Sequence, residues 1–485
     1  MDPQPASTSI RVRLPSRISK SGDRTVAVVG GGLAGLAAAC ALAESGFRVT
    51  VFERRPYLGG RASSYEHPAT GEIVDNCQHV LFGLCTNLLD FYKKIGIENK
   101  IQWFDEMTFI EPGGRQSLLR PASLPAPLQL MPSFLGFKFL DAPDKLALTW
   151  ALTALLMRNP QDDGTSFYDW LRRHHQTHGA IERFWKPVLV SALSEDLDSI
   201  SIPYAAQVVR ESMKSRQARA MGIPTVPLTQ LYDGARAYIS ARGGSVRLRA
   251  GVQALETYSA GPRITVADSE EQFDYAVLAL PFDALAKLLP VAPESVYLRD
   301  QIAHFETAPI TGVHFWFDRQ ISDLPHAVLL DRTIQWMFHK SLLLSTRSKG
   351  AGNSEIPSYV ELVVSSSKSL INQSRQEIID LALAELREFF PAAREATLVK
   401  ATVVKELNAT FSPTPGIDRY RPATATPWSN IFLAGDWTAT GWPATMESAV
   451  RSGYMAAEAI TEQAGAKQNF LSPDLPPTGF MRFLK

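Results

Sequence analysis

The chain has 485 residues, 45% of them apolar and 20% charged, with 49 Lys and Arg balanced by 49 Asp and Glu. That length calls for two or three domains, and the composition excludes general disorder. Zero net charge leaves no basic excess to neutralise phosphates, which excludes nucleic acid as the expected partner.

Residues 1–24 are polar, basic and rich in Ser and Pro, without the apolar core of a signal peptide, and read as a disordered tail. Thr25–Val29 follows as a β-branched run with the composition of a buried parallel strand. Gly30, Gly32 and Gly35 then stand in G-x-G-x-x-G spacing, with Leu33 and Ala34 between the last two. The first glycine allows a tight turn, the second lets backbone approach a pyrophosphate, and the third lets strand and helix pack closely. The Ala- and Leu-rich helix that follows points its first N–H groups at the phosphates. A second strand, RVTVFE, ends in Glu53 beside Arg54. A carboxylate there accepts hydrogen bonds from both ribose hydroxyls and repels the 2′-phosphate of NADP. Strand, glycines, helix and acid together predict a dinucleotide-binding βαβ unit.

The next segment, ERRPYLGGRASS, carries Gly59, Gly60 and Arg61. It resembles the second phosphate-side motif of FAD enzymes in the amine oxidase and phytoene desaturase superfamily. The resemblance implies FAD, with the glycines passing close to the cofactor and Arg61 meeting a pyrophosphate or the flavin edge. VDNCQHVLFG, Val74 to Gly83, reads as a strand feeding a loop. Amine oxidases of the superfamily carry glycines where this chain has Cys77, Gln78 and His79, which counts against amine oxidation.

Further along, residues 125–157 are unusually apolar, ending in LALTWALTALLM, too short to span a bilayer. Two accounts stand: a buried cap, or a surface that dips into one membrane leaflet beside an apolar channel. His174, His175 and His178 in RRHHQTHG are flanked by Arg172 and Arg173 and have no carboxylate or cysteine at ligand spacing, so a polar helix terminus is expected and no metal. Glu195 and Asp196 in LSEDLD are either an acid for catalysis or a solvated helix end. The three cysteines, Cys40, Cys77 and Cys85, make no disulfide framework and suit a reducing compartment, with Cys77 read as packing.

GGSVRLRAGVQALE then resembles the superfamily's return to the dinucleotide domain, which implies that Val252 presents its backbone to the adenine. NIFLAGDWTATGWPATMESAV resembles the closing FAD signature. It implies cofactor contacts from Gly435 and Asp436 and, at the start of a last helix, from Ala444, Thr445 and Met446. Met446-Glu447-Ser448-Ala449 replaces the more usual M-E-G-A. The Pro-rich end of the chain reads as irregular.

The expected fold is α/β: a Rossmann-type, glutathione-reductase-like FAD-binding domain with an inserted α+β substrate domain and a helical apolar cap. The expected boundaries are FAD-binding parts at 25–110, 241–290 and 411–462, a helical apolar region at 111–240, a substrate domain at 291–410 and a tail at 463–485.

Over most of residues 24–462 the chain resembles the squalene-associated FAD-dependent desaturases, also called hydroxysqualene dehydroxylases. DNCQHVLFGLCTNLLDFYKKIG, PVLVSALSEDLDSISIPYAAQVVRESM and LAGDWTATGWPATMESAVRSG carry the likeness. The resemblance implies removal of the hydroxyl of hydroxysqualene to give squalene, on a bacterial route to hopanoids or sterols. It implies a C30 isoprenoid substrate, a peripheral position on the cytoplasmic face of the cell membrane, contact with upstream pathway enzymes, and an electron donor that the sequence leaves open. An allylic hydroxyl must be protonated to leave as water, so the site needs a general acid in a dry channel. His79 is the first candidate because an ordinary imidazole donates a proton near neutrality; hydrogen bonding to flavin or backbone is its other reading. Gln78 orients the hydroxyl or a flavin carbonyl, and Glu195 is the second acid candidate. The rival readings are a carotenoid-type desaturase, an amine oxidase and a non-catalytic flavoprotein.

Overall fold

A computed structural model describes residues 24–344 and 358–483; the amino-terminal segment expected to be disordered lies, but for Arg24, outside the described residues. The fold is α/β and is organised by two sheets. The first has five strands, all parallel, in the order Ser245–Arg247, Arg48–Phe52, Thr25–Val29, Tyr275–Leu278, Ile431–Leu433. Its strands come from the start, middle and end of the chain, and the helices Leu33–Glu44 and Met446–Gln463 pack against it. Val26, Val28, Val49, Val51 and Val277 are fully buried, as β-branched residues in a parallel sheet covered by helices should be. The two helices cross tightly. A Cβ on Gly453 would sit 2.2 Å from the Ala34 carbonyl oxygen, so only glycine permits the approach.

The second sheet has seven strands, in the order Leu398–Phe411, Thr307–Phe317, Ser358–Ser365, Trp336–His339, His326–Leu329, Met107–Ile110, Gln116–Leu119. Its pairs are antiparallel except where His326–Leu329 runs parallel to Met107–Ile110. Between the sheets lies a small sheet in which Met221–Pro224 pairs with both Leu81–Phe82 and Ile101–Phe104.

Helices Met131–Gly136, Ala142–Met157, Lys186–Leu193 and Ile202–Met213 form the apolar middle of the chain. Asp141 starts the second of these with a capping box: its side chain accepts from the Asp144 amide while Asp144 accepts from the Asp141 amide. Leu148, Ala151 and Leu155 of this helix are buried, whereas Leu146, Trp150 and Met157 are 73%, 63% and 66% exposed. A buried cap therefore does not describe it, because its outer face exposes three large apolar side chains among threonines. The carboxy-terminal segment ends in a 3₁₀ turn, Gly479–Phe483, that docks on this region, where the Phe480 amide donates to the Ala126 carbonyl at 2.8 Å.

Candidate active site

The three fingerprint glycines differ in what they do. Gly30 has φ +111°, and a Cβ there would lie 2.3 Å from the Ala279 carbonyl oxygen. A Cβ on Gly35 would lie 2.0 Å from the Gly30 carbonyl oxygen. Both are demanded by the chain itself. A Cβ on Gly32 would meet nothing closer than the Gly60 Cα, at 3.7 Å. Chain packing does not demand glycine here, and the residue lines the cavity at the mouth of a helix amino terminus. That leaves the close approach of a pyrophosphate as its reason.

Glu53 ends the second strand in a buried position and is held by two backbone donors, Gly31 N–H at 2.7 Å and Arg55 N–H at 2.8 Å. Its remaining lone pairs are free for ribose hydroxyls. Arg54 beside it is exposed, close to Gly251 on the neighbouring loop. Val252 opens the strand Val252–Tyr258 at a β-bulge. Arg61 forms an ion pair with Asp436 and donates to the Ala409 carbonyl at 3.1 Å, so these two expected contact residues meet each other across the site. Thr445 caps the last helix by accepting from the Ser448 amide at 3.1 Å, and the Ser448 hydroxyl donates to the Asp436 carbonyl at 3.0 Å. The serine in place of the usual glycine thus ties the helix start to the Gly435–Asp436 turn. Gly30, Gly32, Leu33, Ala34, Glu53, Arg54, Gly59, Gly60, Arg61, Val252, Gly435, Asp436, Ala444, Thr445 and Met446 line one cavity of about 890 Å³; Gly35 stands behind it in the helix. FAD fits this cradle: the glycines leave room for its phosphates, Glu53 for its ribose, and the helix beginning at Met446 for its negative charge.

Cys77, Gln78, His79 and Val80 line the same cavity. The residues before them turn away from it into a buried ionic cluster. Lys340 donates to Asp75 Oδ2 and to Gln78 Oε1, both at 2.7 Å, and pairs with Glu361 Oε2 at 3.4 Å. The Lys340 and Glu361 side chains are 3% and 0% exposed. Burial opposes the charge on Lys340, but the Asp75 and Glu361 carboxylates outweigh it and hold its pKa above the ordinary value. Burial pushes Glu361 up to about 7, against the pull of Lys340. Because an ammonium can bond only to the amide oxygen, Lys340 fixes the orientation of Gln78. One Gln78 N–H donates to the His79 carbonyl at 2.9 Å, leaving the other free.

His79 is not placed as a ready acid. Burial lowers its pKa, so it is neutral at neutral pH, and its Nδ1–H donates to the Cys77 carbonyl at 2.8 Å. The lone pair is then on Nε2, which makes the imidazole an acceptor. Burial likewise pushes the Cys77 thiol well up, and the side chain packs with Met221, Ile223 and Phe338. Neither reading of Glu195 survives intact. Its side chain is 1% exposed, so it is no solvated helix end. It is also absent from the cavity wall, where Ser194 stands instead. Ser194 ends the helix in the left-handed conformation at φ +56°, and Glu195 swings back to accept from Lys368, the Ser412 hydroxyl and the Asp196 amide. It clamps helix to sheet.

Lys340, Glu361 and Arg219 escaped the sequence reading. Each carried a signal of one kind: a lone charge inside an apolar run, WMFHKSLLL, SYVELVVSS and QARAMGIP. Such a charge is either exposed or buried for a reason. Among the described residues, no group of three His, Cys, Asp or Glu is placed to hold a metal ion.

The family model for flavin-containing amine oxidoreductases matches residues 33–461. The chain belongs to that family and is an FAD-dependent oxidoreductase. It is 30% identical over 461 residues to a 15-cis-phytoene desaturase of Synechococcus elongatus, covering 90% of this chain and 95% of that one. A probable zeta-carotene desaturase of the same organism is 29% identical, with 90% and 98% covered. Among solved structures, an oxidoreductase from Methanosarcina mazei shares the fold with a TM-score of 0.68 at 17% identity, over 90% of this chain and all of that one. Putrescine oxidase, bound to putrescine, shares it with a TM-score of 0.64 at 18% identity, over 90% and 99%.

Proposed function

We propose that this oxidoreductase removes the hydroxyl of hydroxysqualene to give squalene. The observation that carries the reading is one continuous cavity. Its wall holds the nucleotide-binding glycines and also Leu128, Met131, Phe134, Leu152 and Leu156, on segments that expose further apolar side chains. A C30 hydrocarbon chain suits such a wall.

In the reaction the C–O bond breaks, the oxygen takes up a proton and leaves as water, and the carbon receives a hydride. Once reduced by two electrons from a separate donor, bound FAD would supply the hydride and return to its oxidised form. The chain does the rest. Gln78, its amide held by Lys340, would offer its N–H to a flavin carbonyl. Glu361, with a pKa pushed to about 7, stores a proton beside Lys340 behind that amide. The apolar walls keep bulk water from capturing a cation on the substrate. Desaturation of a carotenoid-type hydrocarbon is the second reading, favoured by the identity to phytoene desaturase. It would run the electrons from substrate to FAD.

Anaerobic single turnover separates the two. With FAD reduced and hydroxysqualene supplied in detergent, the flavin should reoxidise and squalene should appear in matching amount. Flavin that stays reduced, together with oxidation of phytoene by the oxidised enzyme, would install the desaturase.

The same geometry supports a peripheral place on a membrane, on the cytoplasmic face in our reading. No helix among the described residues is long and apolar enough to cross a bilayer. Leu135, Leu146, Trp150 and Met157 are exposed, and Lys145 bonds to the Leu135 carbonyl at 2.8 Å, which sets the two helices side by side. Phe480 and Phe483 add to the region, at 51% and 82% exposure. Carrying both Leu146→Glu and Trp150→Glu should cut flotation with phospholipid vesicles at least tenfold, since each large apolar side chain is worth about 1.5–3 kcal/mol when buried. FAD content should not change.

A further inference from the structure

Arg219 is a cation in an apolar wall. It closes the 3₁₀ turn Gln217–Arg219, is 7% exposed and lines the cavity. Its Nη1 is fully buried and has no hydrogen-bond partner among the described residues. The nearby carboxylate, Asp105, is engaged by Arg216 at 2.8 Å. Burial lowers the Arg219 pKa to about 10, helped by Arg216 and resisted by Asp105, so the guanidinium stays charged at neutral pH. A buried charge without a partner is costly, and proteins keep one where something else completes it. The backbone around it is committed already: the Ala218 carbonyl accepts from Leu84 N–H at 3.1 Å, and the Ala220 carbonyl from Gly83 N–H at 2.9 Å. The strand Met221–Pro224 that follows pairs with Leu81–Phe82, the strand that leaves Gln78 and His79. Arg219 therefore lines the same cavity as Gln78 and His79, on a segment other than those that form the cofactor cradle.

We infer that Arg219 is the recognition point for the oxygen of an isoprenoid alcohol. The inference rests on the reading of the substrate as a C30 alcohol and adds to it the residue that selects alcohol over hydrocarbon. A hydrocarbon such as phytoene or squalene gives the guanidinium nothing to bond with, whereas a hydroxyl accepts from Nη1 in a medium that strengthens the bond. The surroundings fix the rest of the ligand's character. A single cation beside Phe82, Leu84 and Met213, with Arg216 spent on Asp105, suits one neutral oxygen on a greasy chain better than a diphosphate, which collects several cations.

The test measures binding to the full-length protein loaded with oxidised FAD, which has no hydride to give, so turnover cannot intrude. Hydroxysqualene and squalene are titrated in detergent and followed by the change in flavin absorbance. The wild type should bind the alcohol about 10- to 100-fold more tightly than the hydrocarbon, the range of one hydrogen bond to a charged group. In Arg219→Met the ratio should fall to near one while squalene binding is kept and FAD stays bound; Arg219→Lys should restore part of the preference. A ratio near one in the wild type overturns the inference whether or not the variants fold. So does a ratio that Arg219→Met leaves unchanged. An Arg219-dependent ratio without squalene formation by the reduced enzyme would sink the dehydroxylation reading and leave the oxygen site standing. Squalene formation with a ratio blind to Arg219 would do the reverse.

Discussion

Replacing Lys340 by methionine should cost about 3–5 kcal/mol of stability at neutral pH, the range for breaking a buried ion pair from one side. The ammonium joins three groups from two parts of the chain: Asp75 in the strand Ile73–Asp75, Gln78 just after it on the cavity wall, and Glu361 in the strand Ser358–Ser365. Methionine matches the length of the stem but leaves two carboxylates facing each other in a dry interior. Asp75 would retain the Leu228 amide, at 3.1 Å. Glu361 would retain no cation among the described residues, with only the nearby Gln78 backbone N–H to favour its charge. Other buried groups face the cluster, but none can substitute. His314 lies fully buried on the neighbouring strand, bonded to the Tyr359 hydroxyl at 2.9 Å, and burial holds its pKa down at about 3. It is neutral.

The sign of the pH dependence follows from Glu361. Its folded pKa, about 7, lies above the ordinary 4.5, so between those values the folded state holds a proton that the unfolded state has released. The stability it contributes is fully present below about 4.5 and is lost as pH rises through about 7. In Lys340→Met the deficit should therefore shrink on acidification, since protonating Glu361 removes one of two like charges. Glu361→Gln should flatten the wild-type slope in the same window. Thermal unfolding of the three proteins at pH 5 and pH 7.5 decides it. An equal loss for Lys340→Met at both pH values would show that the cluster is packing rather than charge.

The cofactor half of the site was legible in the sequence because local rules write it. The strand at Thr25, the glycine spacing and the acid at Glu53 each depend on a few neighbouring residues, and the five-stranded sheet assembles around them. Gln78 and His79 were legible as residues of interest but not as chemistry. What decides their behaviour is Lys340, more than 250 residues away, and a carbonyl two residues back that fixes the imidazole tautomer. Glu195 misled for a related reason. Its burial comes from Lys368 and Ser412, partners that no spacing rule connects to LSEDLD. The apolar stretch at 146–157 left two accounts open because periodicity cannot say whether a mostly apolar helix is covered by protein; exposed Trp150 shows only that its outer face is not.

Gly32→Val should separate folding from cofactor binding, with a loss of FAD affinity of at least 100-fold, about 2.7 kcal/mol. The residue sits at φ −78°, ψ 179°, an extended conformation that valine adopts without strain. Its new Cβ would have 3.7 Å to the nearest heavy atom, so the protein itself should accommodate the side chain and unfold within a degree or two of wild-type apoprotein. The methyl groups would nevertheless turn away from Gly60 into the cavity, where the phosphates of FAD need to approach. Gly35→Ala makes the contrast. There the first added carbon collides at 2.0 Å with a backbone oxygen that cannot move without dragging the turn, so folding itself should fail. Flavin content of the purified proteins, read from visible absorbance, and apoprotein melting give both answers. If Gly32→Val kept full FAD and normal melting, the cavity wall at Gly32 would not be the pyrophosphate cradle, and the cofactor would have to enter the cavity by another path.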